Sequence, residues 1–415
     1  MQMKSILNRV ERNKSFVYQK SRWSSDGDKI EVLIEPRKNS RAVCSGCHKK
    51  RAGYDRLPLR EFQYVPLWNI PVVFLYAMRR VDCPECGVVV ESVPWAAGKS
   101  HYTRSFLLFL AAWAKRLSWS ETAEVFGTSW NRVYDAVKWV VNYGLAHRDI
   151  SNVRAIGVDE IQHGKGHQYL TLVYQIDSKV RRLLYVGEDR TAKTLLRFFH
   201  DCGGEWCSQI QFVCSDMWKP YLKVICKKLN YAMHILDRFH IVANLNKALN
   251  EIRASEAKKL FREGYEDILK NTKYCFLKKP ENLTEKQELT LKDVLKYDLK
   301  SVRAYLLKES FQMLWTYKSP YWAEWFLRKW CARAMRSKLE PIKKFTRSIR
   351  KHQELILNWF RAKKEFSSGV VEGLNRKVNL VTRKSYGYRK PKVMKMALFH
   401  AMGSLPEPKP THKFW

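Results

Sequence analysis

Arg154 to Gln162 reads R-A-I-G-V-D-E-I-Q, a short apolar run that ends in two adjacent carboxylates. Alternation of Ala155, Gly157 and Asp159 against Ile156, Val158 and Glu160 suits a strand, and successive strand residues face opposite ways. Only one of Asp159 and Glu160 is therefore expected to face a site on one side of a sheet. Downstream, Gln168 to Ile176 and Val180 to Val186 read as further strands, with Asp177-Ser178 as the turn between them. Thr191 to His200 then has helical spacing, and Ile210 to Ser215 is a buried strand with Asp216 at its end. Lys219 to Leu229 is again helical, and Tyr231 to Leu236 is a last strand before Asp237-Arg238-Phe239-His240. The order β-β-β-α-β-α-β, with one acid on the first strand and another just after the fourth, is that of a ribonuclease H-like mixed sheet. Asp216 alone could serve as a helix cap; two acids at matched strand ends argue for a shared site.

A third acid lies far along the chain. From Arg361 to His400 the only carboxylates are Glu365 and Glu372, among Lys363, Lys364, Arg376, Lys377, Arg383, Lys384, Arg389, Lys390 and Lys392. Gly369 to Thr382 reads as an amphipathic helix with Val371, Leu374, Val378 and Val381 on its apolar stripe. Asn375, Arg376, Asn379 and Arg383 follow Glu372 by three, four, seven and eleven residues, which places them on its side. Two readings remain open: an ion pair between Glu372 and Arg376, or a metal-holding carboxylate ringed by groups, Lys384 included, that grip phosphate.

The chain as a whole is basic. Its 415 residues carry 76 Lys and Arg against 40 Asp and Glu, a formal charge of +36. Such a charge draws polyanions, of which nucleic acid is the commonest that needs a large folded partner. A hydrophobic fraction of 46% with 15 tryptophans indicates folded cores and not a basic tail. No leader pattern occurs at the N-terminus, and the longest apolar run, Phe106 to Ala114, is too short to cross a bilayer. These features predict a cytoplasmic, nucleoid-associated protein with no membrane partner.

Cys44 and Cys47 form one Cys-x-x-Cys and Cys83 and Cys86 another. Two such knuckles supply four thiolates to one tetrahedral Zn²⁺, so a structural zinc ribbon is expected, without need of His48. Strands over Glu61 to Leu67 and Val72 to Arg79 would fold the long intervening segment back. Next, Phe106, Phe109, Leu110, Trp113 and Leu117 recur at helical spacing. A short helix from Ser120 to Gly127 and a second opened by Ser129 follow, with Ala123 small enough for a close crossing. This is a helix-turn-helix pattern, whose second helix presents Ser129, Asn131, Arg132, Asp135 and Lys138 outward. Ala243 to Phe360 reads as all helix, with Thr284 and Gln287 as a capping box and Trp315, Trp322, Trp325, Trp330 and Trp359 as its core.

Together these segments resemble the ISL3 family of bacterial insertion-sequence transposases, of the DDE class. The residues that carry the likeness are the paired Cys-x-x-Cys, G-V-D-E at Gly157 to Glu160, C-S-D-M at Cys214 to Met217 and D-R-F-H at Asp237 to His240. To these add S-S-G-V-V-E-G-L-N-R-K at Ser367 to Lys377 and R-K-S-Y-G-Y-R at Arg383 to Arg389. The resemblance implies a catalytic triad of Asp159, Asp216 and Glu372 holding two Mg²⁺ or Mn²⁺ ions, with Arg238 and His240 as candidates for positions near them. It also implies binding of double-stranded DNA at terminal inverted repeats, strand cleavage and transfer to target DNA, and a homodimer that pairs two ends. The expected organisation is a zinc-ribbon domain over 1–100, a helix-turn-helix over 101–150, a catalytic domain over 151–242 completed by 363–415, and a helical insertion over 243–362. A DNA-binding regulator that has lost its chemistry, or another ribonuclease H-like nuclease, are the competing readings.

Overall fold

The computed structural model describes residues 2–164, 166, 168–265, 268–363 and 368–409. They gather into two compact units, residues 1–149 with 379–415, and residues 150–378. Lys364 and Glu365 of the basic stretch, and Ser367 at the head of the motif read around Glu372, lie outside the described residues.

In the first unit, strands β1 (Phe16–Trp23), β2 (Ile30–Pro36), β3 (Ala42–Val43), β4 (Lys50–Leu67), β5 (Ile70–Cys83) and β6 (Gly87–Val90) form one sheet. Its order is β1-β2-β5-β4-β3, with β6 paired to the end of β5. The β4–β5 hairpin turns at Trp68 and Asn69, both at positive φ (50° and 66°), as a two-residue type I′ turn requires. The hairpin is much longer than the two short strands expected. Its outer half, Lys50 to Arg60, is polar and largely exposed, so no buried face marks it in the sequence. The inner half is packed: Phe62, Tyr64, Phe74, Tyr76 and Trp95 form an aromatic core with Phe16 and Tyr18.

Three helices follow. Thr103 caps Arg104–Ala114 through the Phe106 amide, and Ser118 and Glu121 form a reciprocal capping box on Trp119–Val125. That second helix thus begins before Ser120, the expected start. Gly127 turns the chain at φ 57°, a left-handed value natural to glycine, and Ser129 precedes Trp130–His147. Ala123 is buried as expected.

The second unit is built on β7 (Ala155–Gln162), β8 (Tyr169–Ile176), β9 (Arg181–Glu188), β10 (Phe212–Ser215) and β11 (Met233–Leu236). Their order is β11-β10-β7-β8-β9. β7, β8 and β9 run antiparallel, whereas β10 lies parallel to both β7 and β11. Ser215 pairs with Val158 across the β7–β10 ladder, so Asp216, just past the end of β10, comes level with Asp159, which lies within the longer β7. The helices Ala192–Cys202 and Lys219–Lys228 bury Leu195, Phe198, Phe199, Tyr221, Val224 and Ile225 against the sheet.

The helix Ser368–Lys384 approaches β7 at Gly157. A Cβ there would meet Val371 Cγ2 at 2.6 Å, closer than real packing permits, so the glycine lets the helix carrying Glu372 come down onto the strand carrying Asp159. The described residues after β11 contain helices and no strand through Arg361, and Thr284 and Gln287 form the expected capping box. The first of these helices starts earlier than expected, at Arg238, capped by Asp237. Trp315, Trp330 and Trp359 are core residues, but Trp322 and Trp325 are about half exposed. Helical spacing marks a stripe without saying which neighbour covers it, and the stripe that packs runs through Ala323, Leu327, Trp330 and Ala334 instead.

Candidate functional site

The four Sγ atoms of Cys44, Cys47, Cys83 and Cys86 all lie within 4.8 Å of one another, and Cys47 and Cys83 are 3.6 Å apart. A tetrahedron with Zn–S bonds of about 2.3 Å has edges of roughly 3.8 Å, so the thiols fit that ion. Each pair sits in a tight turn: the His48 amide donates to the Cys44 carbonyl and the Cys86 amide to that of Cys83. Gly46 is pressed against the opposite knuckle, since a Cβ there would lie 2.7 Å from Cys86 Sγ. Lys49 and Arg51 both pair with Glu85 across the two knuckles.

The second cluster stands toward the carboxyl ends of β7 and β10. Asp159 is buried and accepts a 2.5 Å hydrogen bond from Asn375 Nδ2, while Asn375 Oδ1 accepts from the Tyr174 hydroxyl at 2.8 Å. This corrects the expectation that Asn375 faces outward to phosphate; its amide is committed between a buried tyrosine and a buried acid. His240 Nε2 lies 3.7 Å from Asp159 and 3.8 Å from Asp237. The contact with Asp159 is the main reason that the imidazole pKa rises to about 9, which makes it a cation at neutral pH. Asp159, Asp237 and His240 bring one ligand atom each within 4.8 Å, the second group able to hold a metal among the described residues.

Asp216 is buried too; its Oδ1 accepts from the Trp218 amide at 3.0 Å, and Arg190 reaches its Oδ2 at 3.2 Å. The same Arg190 pairs with Glu160 at 2.6 Å, and its guanidinium lies 4.5 Å over the Trp218 ring. Strand alternation lets only one of Asp159 and Glu160 face the site directly. Arg190 bridges the two directions and brings Glu160 into the field of Asp216. Burial first, then the Asp216 charge, lift the Glu160 pKa to about 7, and burial raises that of Asp216.

Of the residues singled out in the sequence, Asp159, Asp216 and His240 are thus brought together. Glu372 is not part of that close group: its partly exposed carboxylate forms a 2.7 Å ion pair with Arg376, one helical turn on. Arg238 lays its guanidinium 5.0 Å over Trp315 rather than against the acids. Asn379 and Arg383 are exposed on the last turns of the same helix, and Lys384 is half-buried and donates to the Lys115 carbonyl. Ser129, Asn131, Arg132 and Lys138 are all exposed along Trp130–His147; Arg132 packs over Tyr102 at 4.9 Å. Sequence reasoning assigned no role to Asp237 or Arg190. The Asp-x-x-His spacing at the head of a helix was a usable signal for the first, since such residues share a face. For Arg190 nothing local distinguished it from other surface cations.

Comparison with known proteins gives concordant matches. The profile of the ISL3 DDE family, described as "Transposase", matches residues 156–398. The transposase for insertion sequence element IS1557 of Mycobacterium tuberculosis is 31% identical over 397 residues, which covers 89% of this chain and 88% of that protein. The transposase for insertion sequence element IS1001 of Bordetella parapertussis is 24% identical over 371 residues, covering 88% of this chain and 90% of that protein.

Proposed function

Because the chain belongs to the ISL3 family of transposases, we propose that it binds the terminal inverted repeats of an insertion sequence and cuts and joins DNA strands there. The observation that carries this reading is the pair of buried acids, Asp159 and Asp216, one residue beyond the last paired position of the parallel β7–β10 ladder. The strand order around them, three antiparallel strands followed by two parallel ones, is the order expected of a ribonuclease H-like catalytic sheet. Asp159, Asp216 and Glu372 would hold Mg²⁺ or Mn²⁺, hard ions that take oxygen ligands. When bound, a pair of such ions neutralises charge on the attacking and leaving oxygens of a phosphodiester. Glu372 would have to exchange Arg376 for the ion. That exchange is a small one, because a partly exposed i,i+4 pair is worth only about 0.3–0.5 kcal/mol.

Around that centre the protein's own residues have separable tasks. Asn375 and Tyr174 fix the Asp159 carboxylate, and Arg190 holds Asp216 and Glu160 in register. The four cysteines hold one structural Zn²⁺ in a zinc ribbon, and the exposed face of Trp130–His147 reads DNA as the second helix of a helix-turn-helix. Two copies would pair the two ends. A second reading of the metal ligands is favoured by one specific observation, the close grouping of Asp159, Asp237 and His240. In that case Asp237→Asn would abolish Mn²⁺ binding and Glu372→Gln would not.

The test of the activity is Mg²⁺-dependent nicking of a duplex that carries the inverted repeats flanking this reading frame, beside a duplex of scrambled ends. Cleavage at the repeat ends alone is expected. Tight end binding without cleavage would instead indicate a regulator, and efficient cutting of the RNA strand of a hybrid would indicate a different nuclease.

A further inference from the structure

The first unit contains a cavity of about 730 Å³ between the starts of Trp119–Val125 and Trp130–His147 and the turn Ser385 to Lys390. That size is within the range of pockets that enclose a small ligand. Its walls are aromatic. Trp130 stacks on Tyr134 at 5.7 Å with the rings 7° from parallel, and Trp119 touches both Trp130 (5.5 Å) and Tyr388 (5.8 Å). Trp119 is buried, but Trp130 keeps 38% of its surface exposed and Tyr386 is fully exposed, so the rings form an open platform and not a closed core.

The turn that displays Tyr386 is specifically built. Tyr386 and Gly387 are both left-handed (φ 52° and 95°), and their amides donate to the Arg383 and Thr382 carbonyls, terminating the preceding helix. Ser385 and Tyr388 close the turn with a 2.7 Å hydroxyl contact. An exposed aromatic at positive φ is costly, and nothing in the packing of this unit uses the ring. Arg389, Lys390 and Lys392 line the same cavity and are exposed. Two carboxylates also line it. Glu121 is occupied by the Ser118 amide at 2.7 Å, which leaves Glu124 as an acceptor for a donor on the ligand.

Flat, half-open aromatic faces bordered by cations are the chemistry that holds a nucleotide by its base and its phosphate together. In a paired duplex the base faces are already stacked on their neighbours, so the ligand must be unpaired. We propose that this cavity receives an unpaired nucleotide of the bound DNA, with its base against the Trp130–Tyr134 platform and Tyr386 and its phosphate beside Arg389 and Lys392. Extrusion of a base is affordable where pairing is already weak, as at a nicked or distorted end. The inference rests on the reading that the chain binds DNA ends.

The test uses the full chain, a paired duplex, and the same duplex with one bulged 2-aminopurine, at a fixed salt concentration. The bulged duplex should bind about tenfold tighter or more, and stacking should quench the 2-aminopurine on binding. Tyr386→Asn removes a ring that is wholly exposed, and asparagine tolerates the left-handed backbone; Trp130→Leu removes the platform. Both should bring the two affinities to within about twofold and restore the fluorescence, and Tyr386→Asn should leave the paired-duplex affinity unchanged. Equal wild-type affinities with no quenching would overturn the proposal. Failure of the wild type to bind even the paired duplex would instead overturn the DNA-binding reading on which it rests.

Discussion

Asn375 shows how a buried acid is held in one orientation. Its amide cannot turn without losing either the Asp159 or the Tyr174 bond, because Tyr174 is itself fully buried and its hydroxyl donates to Asn375 Oδ1. Asn375→Ala would leave both groups without that partner, at a cost of about 1–3 kcal/mol for each unsatisfied polar group. A loss of that size in the unfolding free energy, seen as a lower urea midpoint, with strand cleavage lost more steeply than end binding, is expected; an unchanged midpoint would mean that water replaces the amide freely. His234, on β11, is a second residue with a measurable signature. Burial lowers its pKa to about 4, and its Nε2 lies 2.8 Å from Ser215 Oγ. A depressed histidine takes up its proton less readily when folded than when unfolded, so stability is complete above the unfolded pKa of about 6.5 and falls as the pH drops toward 4. Between pH 7 and pH 5 this one group should cost about 2 kcal/mol. His234→Gln should flatten that part of the stability profile, and a slope that survives the substitution would assign it to other groups.

At the scale of elements, the close approach of helix Ser368–Lys384 to β7 depends on Gly157, where any Cβ meets Val371. Gly157→Ala should destabilise by about 1–3 kcal/mol through overpacking, and reduce cleavage further by pushing the helix off the strand. Gly46 plays the same part in the knuckles. Gly46→Ala, or a chelator that strips the Zn²⁺ proposed for the four cysteines, should lower the melting temperature and weaken end recognition more than chemistry on pre-nicked DNA; equal losses in both assays would contradict a purely structural metal. Elements whose burial follows a period were legible in the sequence: β7 to β11 and their helices fall within a few residues of where the apolar pattern puts them. So were the cysteine knuckles, because ligand spacing is local. What was not legible depends on partners remote in sequence. The polar outer half of β4 has no apolar face to read, β2 pairs with β5 some forty residues on, and the bridge from Arg190 to Glu160 and Asp216 exists only once the sheet forms. Glu372 was legible as an anomalous acid, but its partner in the structure is Arg376.

The molecule as a whole carries +36, and none of its described helices is long and apolar enough to cross a membrane. Its affinity for DNA should therefore be dominated by phosphate contacts and counterion release. A plot of log affinity against log salt should have a slope of about −5 or steeper, as six or more neutralised phosphates would give. A slope near −1 would mean that the charge serves another purpose. Both metal-capable clusters belong to this basic frame, one beside β7 and β10 of the second unit and one at the open end of the long hairpin of the first, away from its turn. The chemistry proposed for this chain is joint action of Asp159, Asp216 and Glu372 on phosphodiesters. It is tested most directly by measuring Mg²⁺-dependent cleavage of end-bearing DNA by Asp159→Asn, Asp216→Asn and Glu372→Gln, beside end binding by the same variants. All three variants should bind the ends as the wild type does and cleave none of them. Retained cleavage by the Glu372 variant would contradict that joint action, and would move the third ligand to Asp237 or His240.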